Sequence, residues 1–204
     1  MSKNSDRLIR KEHYITSPFG AFRTNGTHNG VDYGVNMLDN VMCYFPCDME
    51  ILRIGIDRYG GTFMYALSRK LSKVVLFYHN QTFDFKVGEQ VRRGQEVGLV
   101  GNRGKQPMGI HQHFSLIRYN SRSLKYYSAD YLDYERYVFP ITDYDRVQAK
   151  YGFNDETMAY LNKYLYNEEL FIIMLKDSGY QRYSLLTVEY ILDYEYGVDV
   201  FDKL

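Results

Sequence analysis

Gly109-Ile110-His111-Gln112-His113-Phe114-Ser115-Leu116 is the stretch on which the reading of this chain turns. Apolar residues alternate with polar ones around two histidines, the pattern of a β-strand. Residues two apart on a strand project from one face. The imidazoles of His111 and His113 therefore point at one spot, while Gln112, Phe114 and Leu116 face the other way, into a core. A His-x-His pair by itself is as readily two packed or solvated rings. What stands upstream changes that balance.

Working outward, His28-Asn29-Gly30-Val31-Asp32 places a histidine four residues before a carboxylate. The glycine makes it a loop running into a strand rather than a helical pair. A neutral imidazole with a carboxylate suits zinc, whose N and O ligands lie at about 2.0–2.2 Å. One histidine of the His111/His113 pair brings the protein ligands to three and leaves a fourth position for water, the catalytic form of a zinc site. Such a metal lowers the water's pKa to about 7. The other histidine of the pair is then close enough to accept a proton. His79, ending Phe77-Tyr78-His79, can face the same site. His13 has no partner motif around it and is set aside.

The rest of the front of the chain reads as short strands. Tyr14-Ile15-Thr16 starts one, stopped by the turn Ser17-Pro18-Phe19-Gly20. Phe22 to Asn29 is rich in Thr, Asn and Gly and reads as loop. Val41 to Ile56 is strand-like but broken at Pro46, and Gly60-Gly61 is a hairpin turn. Thr62 to Leu67 alternates, and Val74-Val75-Leu76-Phe77-Tyr78 is strongly β-prone, a central strand. Between Val87 and Gly101 glycine is too frequent for a helix, where each costs about 1 kcal/mol, so this run is short strands and tight turns. Closely spaced strands with no helix between them predict an antiparallel sheet system.

The 204 residues carry no formal net charge, yet the signs are segregated. Residues 1–139 hold 19 Lys and Arg against 13 Asp and Glu, and residues 140–204 hold 6 against 12. The break sets a boundary near Pro140, and the basic front favours an anionic target. The expected organisation is a polar, loosely held lead-in at 1–13, a β-domain at 14–139 and a C-terminal segment at 140–204. In that last segment Asn154-Asp155-Glu156 is a helix start. Stripes at Met158, Leu161 and Leu165, at Leu170, Ile173 and Met174, and at Leu185, Val188, Ile191 and Leu192 predict two or three short amphipathic helices. Of the 22 tyrosines, 16 lie at or after Tyr119, a composition found at interfaces. Cys43 and Cys47 make neither a zinc-ribbon pattern nor a disulfide scaffold and read as core thiols. No segment has the length and apolarity of a membrane span, and nothing points to nucleic acid.

From Ile15 to Leu132 the motifs together resemble the lysostaphin-type, or LytM-type, zinc endopeptidases that cut the peptide part of bacterial peptidoglycan. Ser17-Pro18-Phe19-Gly20 is similar to the family's Ser-x-Phe-Gly opening, and His28-Asn29-Gly30-Val31-Asp32 to its His-x-Gly-x-Asp zinc motif. Tyr78-His79 resembles the end of its Tyr-x-His strand. Gly88-x₂-Val91-x₂-Gly94-Gln95-x-Val97-Gly98 follows its glycine-spaced run, and Gly109-Ile110-His111-Gln112-His113-Phe114 its Gly-x-His-x-His-Phe signature. The resemblance implies one zinc ion per chain held by His28, Asp32 and His113. It makes His111 and His79 the catalytic pair, which polarise the water, take its proton and stabilise the oxyanion. The implied fold is a mainly β, antiparallel peptidase domain with a groove formed by loops over the sheet. Four positions depart from the pattern: Ile110 stands for proline, Gln112 and Asn80 for leucine, and Asp48-Met49 for an Asp-Gly pair. None removes a ligand or base.

The implied substrate lies outside the cytoplasm, whereas Met1-Ser2-Lys3-Asn4-Ser5-Asp6 leads into no apolar secretory stretch. Release by host lysis, delivery on a phage particle, or membership of a longer chain would each reconcile the two. The acidic, tyrosine-rich segment 140–204 suits docking onto phage tail proteins, or equally a helical cap on the β-domain. A different class of function keeps the front domain as a wall-binding or structural tail module without turnover. Bound zinc and hydrolysis of cell walls separate the two.

Overall fold

A computed structural model describes residues 7–24, 26–35, 40–104, 109–120 and 125–139. The chain divides into two units, Met1–Phe139 and Pro140–Leu204. The second lies outside the described residues, and with it the helices expected there.

Among the described residues of the first unit twelve strands follow one another: β1 (Tyr14–Ser17), β2 (Phe22–Arg23), β3 (Gly26–Thr27), β4 (Val31–Gly34), β5 (Met42–Tyr44), β6 (Met49–Ile56), β7 (Thr62–Ser68), β8 (Lys73–Tyr78), β9 (Gln90–Val91), β10 (Glu96–Leu99), β11 (His111–Asn120) and β12 (Lys125–Leu132). Every pairing among them is antiparallel. The main sheet runs β1-β4-β11-β8-β7-β6-β9, with β12 also paired to β11. Two small ribbons, β10-β5 and β2-β3, complete the unit. The antiparallel β architecture expected from the spacing of turns is the one found.

The sheet is built around β11, the ten-residue strand that carries the His-x-His pair. It bonds to β8 along one edge; along the other it meets β4 over its first four residues and β12 from Leu116 onward. The residues that pair with it come from far apart in the chain, so the site is assembled by register, not by local sequence. Phe114 and Leu116 are fully buried on the core face beside Phe77, Val75, Met64 and Ile51. Each contributes roughly 1.5–3 kcal/mol by leaving water. Phe114 sits edge-on to Phe77, their centroids 5.2 Å apart, and Phe77 sits edge-on to Phe45 at 5.4 Å. Tyr134 covers Phe114 from beyond β12, centroids 4.2 Å apart.

The structure differs from the sequence-based expectation in two places. The lead-in is not loosely held throughout: Leu8 and Ile9 are fully buried, and Ile9 forms an antiparallel bridge with Cys43. Two apolar residues among charged ones are too short a signal for periodicity to reveal, yet the sheet interior takes both. The segment Phe22 to Asn29 is not plain loop either, since β2 and β3 pair within it as a minimal hairpin. Cys43 and Cys47 are buried free thiols, as expected. Leu8→Ala should lower unfolding stability by about 2–5 kcal/mol in denaturant titration; a change within about 0.5 kcal/mol would show that this segment is indeed a loose lead-in.

Candidate metal centre

Strand register brings the sequence-predicted residues together. His113 on β11 lies directly opposite Asp32 on β4, and antiparallel partners share a face. His28 enters from the loop before β4. That loop can approach because of the glycine between His28 and Asp32. A Cβ on Gly30 would lie 2.5 Å from the Phe114 carbonyl oxygen, 2.6 Å from Ser115 Oγ and 2.9 Å from the His113 ring. Only a residue without a side chain lets the His28 loop close against β11.

His28, Asp32 and His113 form a cluster in which one donor atom from each lies within 4.8 Å of the others. His28 Nε2 is 3.1 Å from His113 Nδ1 and 3.3 Å from Asp32 Oδ1, and His113 Nδ1 is 2.8 Å from Asp32 Oδ1. The outward atom of each side chain is committed elsewhere. His28 Nδ1 faces the Pro18 carbonyl at 3.0 Å and Ser17 Oγ at 3.1 Å. His113 Nε2 faces Ser115 Oγ at 2.9 Å. Arg23, on β2, donates to Asp32 Oδ2 and to Ser17 Oγ. Metal binding here would turn both ring N–H groups outward, so that two nitrogen lone pairs and a carboxylate oxygen converge inward. Donors of a tetrahedral zinc shell sit roughly 3.3 Å apart for bonds of about 2.0 Å, so the spacing suits that ion. Outer hydrogen bonds of this kind fix ligand tautomer and orientation.

Electrostatics follow from burial. Burial alone would raise the Asp32 pKa, but hydrogen bonds from His113 and His28 outweigh it and hold the carboxyl far below the usual range. Burial pushes His113 down, against the opposing pull of Asp32. Both groups are thus in the deprotonated form that metal binding requires.

His79 and His111 stand beside the cluster, not in it. Their ring centroids are 4.8 Å apart, and that of His79 is 6.4 Å from His113. Each ring directs Nδ1 to a backbone carbonyl, His79 to Arg103 at 2.5 Å and His111 to Gly109 at 2.9 Å. An Nδ1–H donated there leaves Nε2 as the acceptor. Burial lowers the His79 pKa to about 4, so this ring is neutral at pH 7. His13 lies elsewhere, edge-on to Tyr33.

Sequence reasoning missed Arg23, Ser17 and Ser115. Ser115 was legible in principle, two residues beyond His113 on the same strand face; Arg23 was not, because its hairpin was read as loop. Two departures from the expected pattern also find a reason. Gln112 is fully buried, yet its Oε1 accepts the Cys43 thiol at 2.9 Å and its Nε2 donates to the Tyr78 and His113 carbonyls. Asn80, also buried, donates to the Gly98 and Leu99 carbonyls. Polar groups therefore replace apolar ones behind the two catalytic candidates, with donors paired to backbone oxygens.

An antiparallel sheet presenting such a donor set has the makings of a metal-dependent hydrolase. Residues 26–125 match the model of peptidase family M23. The fold is similar to that of the catalytic domain of the antimicrobial peptidase lysostaphin from Staphylococcus simulans, with a TM-score of 0.50, 22% identity, and coverage of 59% of this chain and 88% of that one. It is also similar to a zinc containing peptidase from Vibrio cholerae, with a TM-score of 0.53 and 22% identity over 65% of this chain. This chain spans 39% of the length of that Vibrio cholerae protein.

Ser115→Ala, which frees His113 Nε2, should weaken zinc binding by about 10- to 100-fold in competition with a chromophoric chelator. An unchanged affinity would remove Ser115 from the metal centre.

Proposed function

We propose that the chain is a zinc-dependent endopeptidase that hydrolyses peptide bonds of bacterial peptidoglycan, with His28, Asp32 and His113 holding the metal and His111 and His79 handling protons. The observation that carries this reading is the inward convergence of His28 Nε2, Asp32 Oδ1 and His113 Nδ1 beside the imidazoles of His79 and His111. The M23 match and the lysostaphin-like fold support the substrate class.

Zinc bound there would act as a Lewis acid and make hydroxide available at neutral pH. The chain's own residues supply the rest. His79 begins neutral, and an Nδ1–H donated to the Arg103 carbonyl by His79 and to the Gly109 carbonyl by His111 leaves each ring to accept at Nε2. One takes the proton of the attacking water while the other orients that water. The imidazolium so formed stabilises the negative charge developing on the substrate carbonyl oxygen. It then returns the proton to the leaving amine, as a general base that becomes a general acid. Ligand geometry is kept through this cycle by Ser17, Ser115 and Arg23, none of which needs to titrate.

The cellular setting we propose is local wall degradation by a phage, with residues 140–204 contacting tail proteins. It rests on the acidic, tyrosine-rich sequence of that segment.

The reading is tested on purified cell walls, by loss of turbidity with metal-replete protein and its suppression by a chelator. His113→Ala should lose both metal and activity. His111→Ala should keep the metal and lose activity by about 10²–10⁴-fold. Walls left intact by the metal-replete protein would favour a non-catalytic wall-binding module, and zinc lost from His111→Ala but kept by His113→Ala would reverse the two roles.

A further inference from the structure

We propose that Tyr78 and Asp57 form a clamp that positions the His79 imidazole, an inference that rests on the peptidase reading given above. Tyr78 ends β8. It stands opposite His113 on β11 and Phe63 on β7, so its side chain shares the face of the metal ligand. The Tyr78 ring lies against that of His79, centroids 4.1 Å apart at a tilt of 59°, and 6.0 Å from that of His113. Its hydroxyl donates to Asp57 Oδ2.

Asp57 is itself immobilised. Its Oδ1 accepts the backbone N–H groups of Tyr59 and Gly61, each at 2.8 Å, and so caps the turn that joins β6 to β7. The turn residue Gly61 is shaped by the same hydroxyl: a Cβ there would lie 2.4 Å from Tyr78 Oη. The hairpin, the carboxylate and the phenol thus form one rigid unit, with the aromatic ring as its arm.

His79 needs such an arm. Its backbone has φ 75°, in the left-handed region that residues with side chains seldom occupy. The strand ends there, and three hydrogen bonds hold the residue, the third from the Arg103 backbone N–H to its carbonyl at 3.4 Å. Its backbone N–H donates to the Thr62 carbonyl at 3.0 Å, and its Nδ1–H to the Arg103 carbonyl. The two bonds that engage Arg103 come from outside the strands, whereas Tyr78 belongs to β8 and its ring is tethered to the β6–β7 turn. Contact with that ring removes the freedom of the imidazole to swing away from His111. Neither Tyr78 nor Asp57 reaches the reacting atoms, so both are positioning residues.

The experiment uses the full, zinc-loaded chain. Tyr78→Phe keeps the ring and loses the tether, and Asp57→Ala loses the acceptor. Each should lower kcat about tenfold with KM and zinc content within about twofold of the parent. The double variant should be no worse than either single one, because the two act as a unit. Asp57→Asn, which keeps an oxygen for the turn and offers an amide to the tyrosine, should recover most of the rate. A second readout needs no turnover: imidazole ¹⁵N NMR should show His79 as a single Nδ1–H tautomer in the parent and as an average of tautomers in Tyr78→Phe and Asp57→Ala. Tyr78→Phe with parental kcat and an unchanged His79 spectrum overturns the clamp, and this nearly isosteric variant decides the matter even if Asp57→Ala does not fold. A parent that cleaves no wall overturns the peptidase reading instead, and the His79 spectra still judge the clamp.

Discussion

Three lone-pair donors, His28 Nε2, Asp32 Oδ1 and His113 Nδ1, lie 2.8 to 3.3 Å apart in a buried place. Electron-rich atoms that close and that dry repel one another unless a cation or shared protons stand among them. Much of the surrounding structure can be read as a means of sustaining this arrangement. Gly30 permits the approach of the loop, β4 and β11 set the register, and Ser17, Pro18, Ser115 and Arg23 occupy the outward atoms. Each of the three side chains is left with one inward atom. The same constraint separates the two histidines of β11. Both face one side of the sheet, but only His113 lies opposite Asp32; His111 lies opposite Gly34, offset along the strand towards His79.

The division of labour within the site follows from what each imidazole nitrogen bonds. The rings of His28 and His113, the proposed ligands, set one nitrogen each against Pro18, Ser17 and Ser115 oxygens. The rings of His79 and His111 set theirs against the carbonyls of Arg103 and Gly109, in loops rather than strands. On the proposed reading, two ligands on the sheet and one on the loop before β4 stand beside proton carriers that lean on loop carbonyls, an arrangement suited to a metal that stays and protons that move. Burial reinforces this by keeping His79 neutral, with its pKa lowered to about 4.

Much of this was legible in the sequence because it depends on short-range rules. The two-residue period of a strand put His111 and His113 on one face and Phe114 in the core. Glycine punctuation gave the strand-and-turn character of residues 87–101 and the hairpin at Gly60-Gly61. Spacing could not show what depends on long-range pairing. Arg23 reaches Asp32 from a hairpin only two residues deep on each side. The burial of Leu8 and Ile9 is decided by a sheet interior assembled from residues well downstream. Gln112 was legible as a departure from pattern, but its pairing with Cys43, 69 positions earlier in the chain, exists only in the folded sheet. The Asp57–Tyr78 contact is hidden for the same reason, since the spacing of an aspartate and a tyrosine across a hairpin has no periodic signature.

The central claim is that His28, Asp32 and His113 hold the metal. Anomalous diffraction at the zinc absorption edge, from crystals of the chain grown with zinc, addresses it most directly. The account predicts a single strong peak bonded to His28 Nε2, Asp32 Oδ1 and His113 Nδ1, with the His79 and His111 rings beside it but not bonded to it. A peak bonded to His79 or His111 in place of any of the three, or no peak among them at saturating zinc, would contradict it.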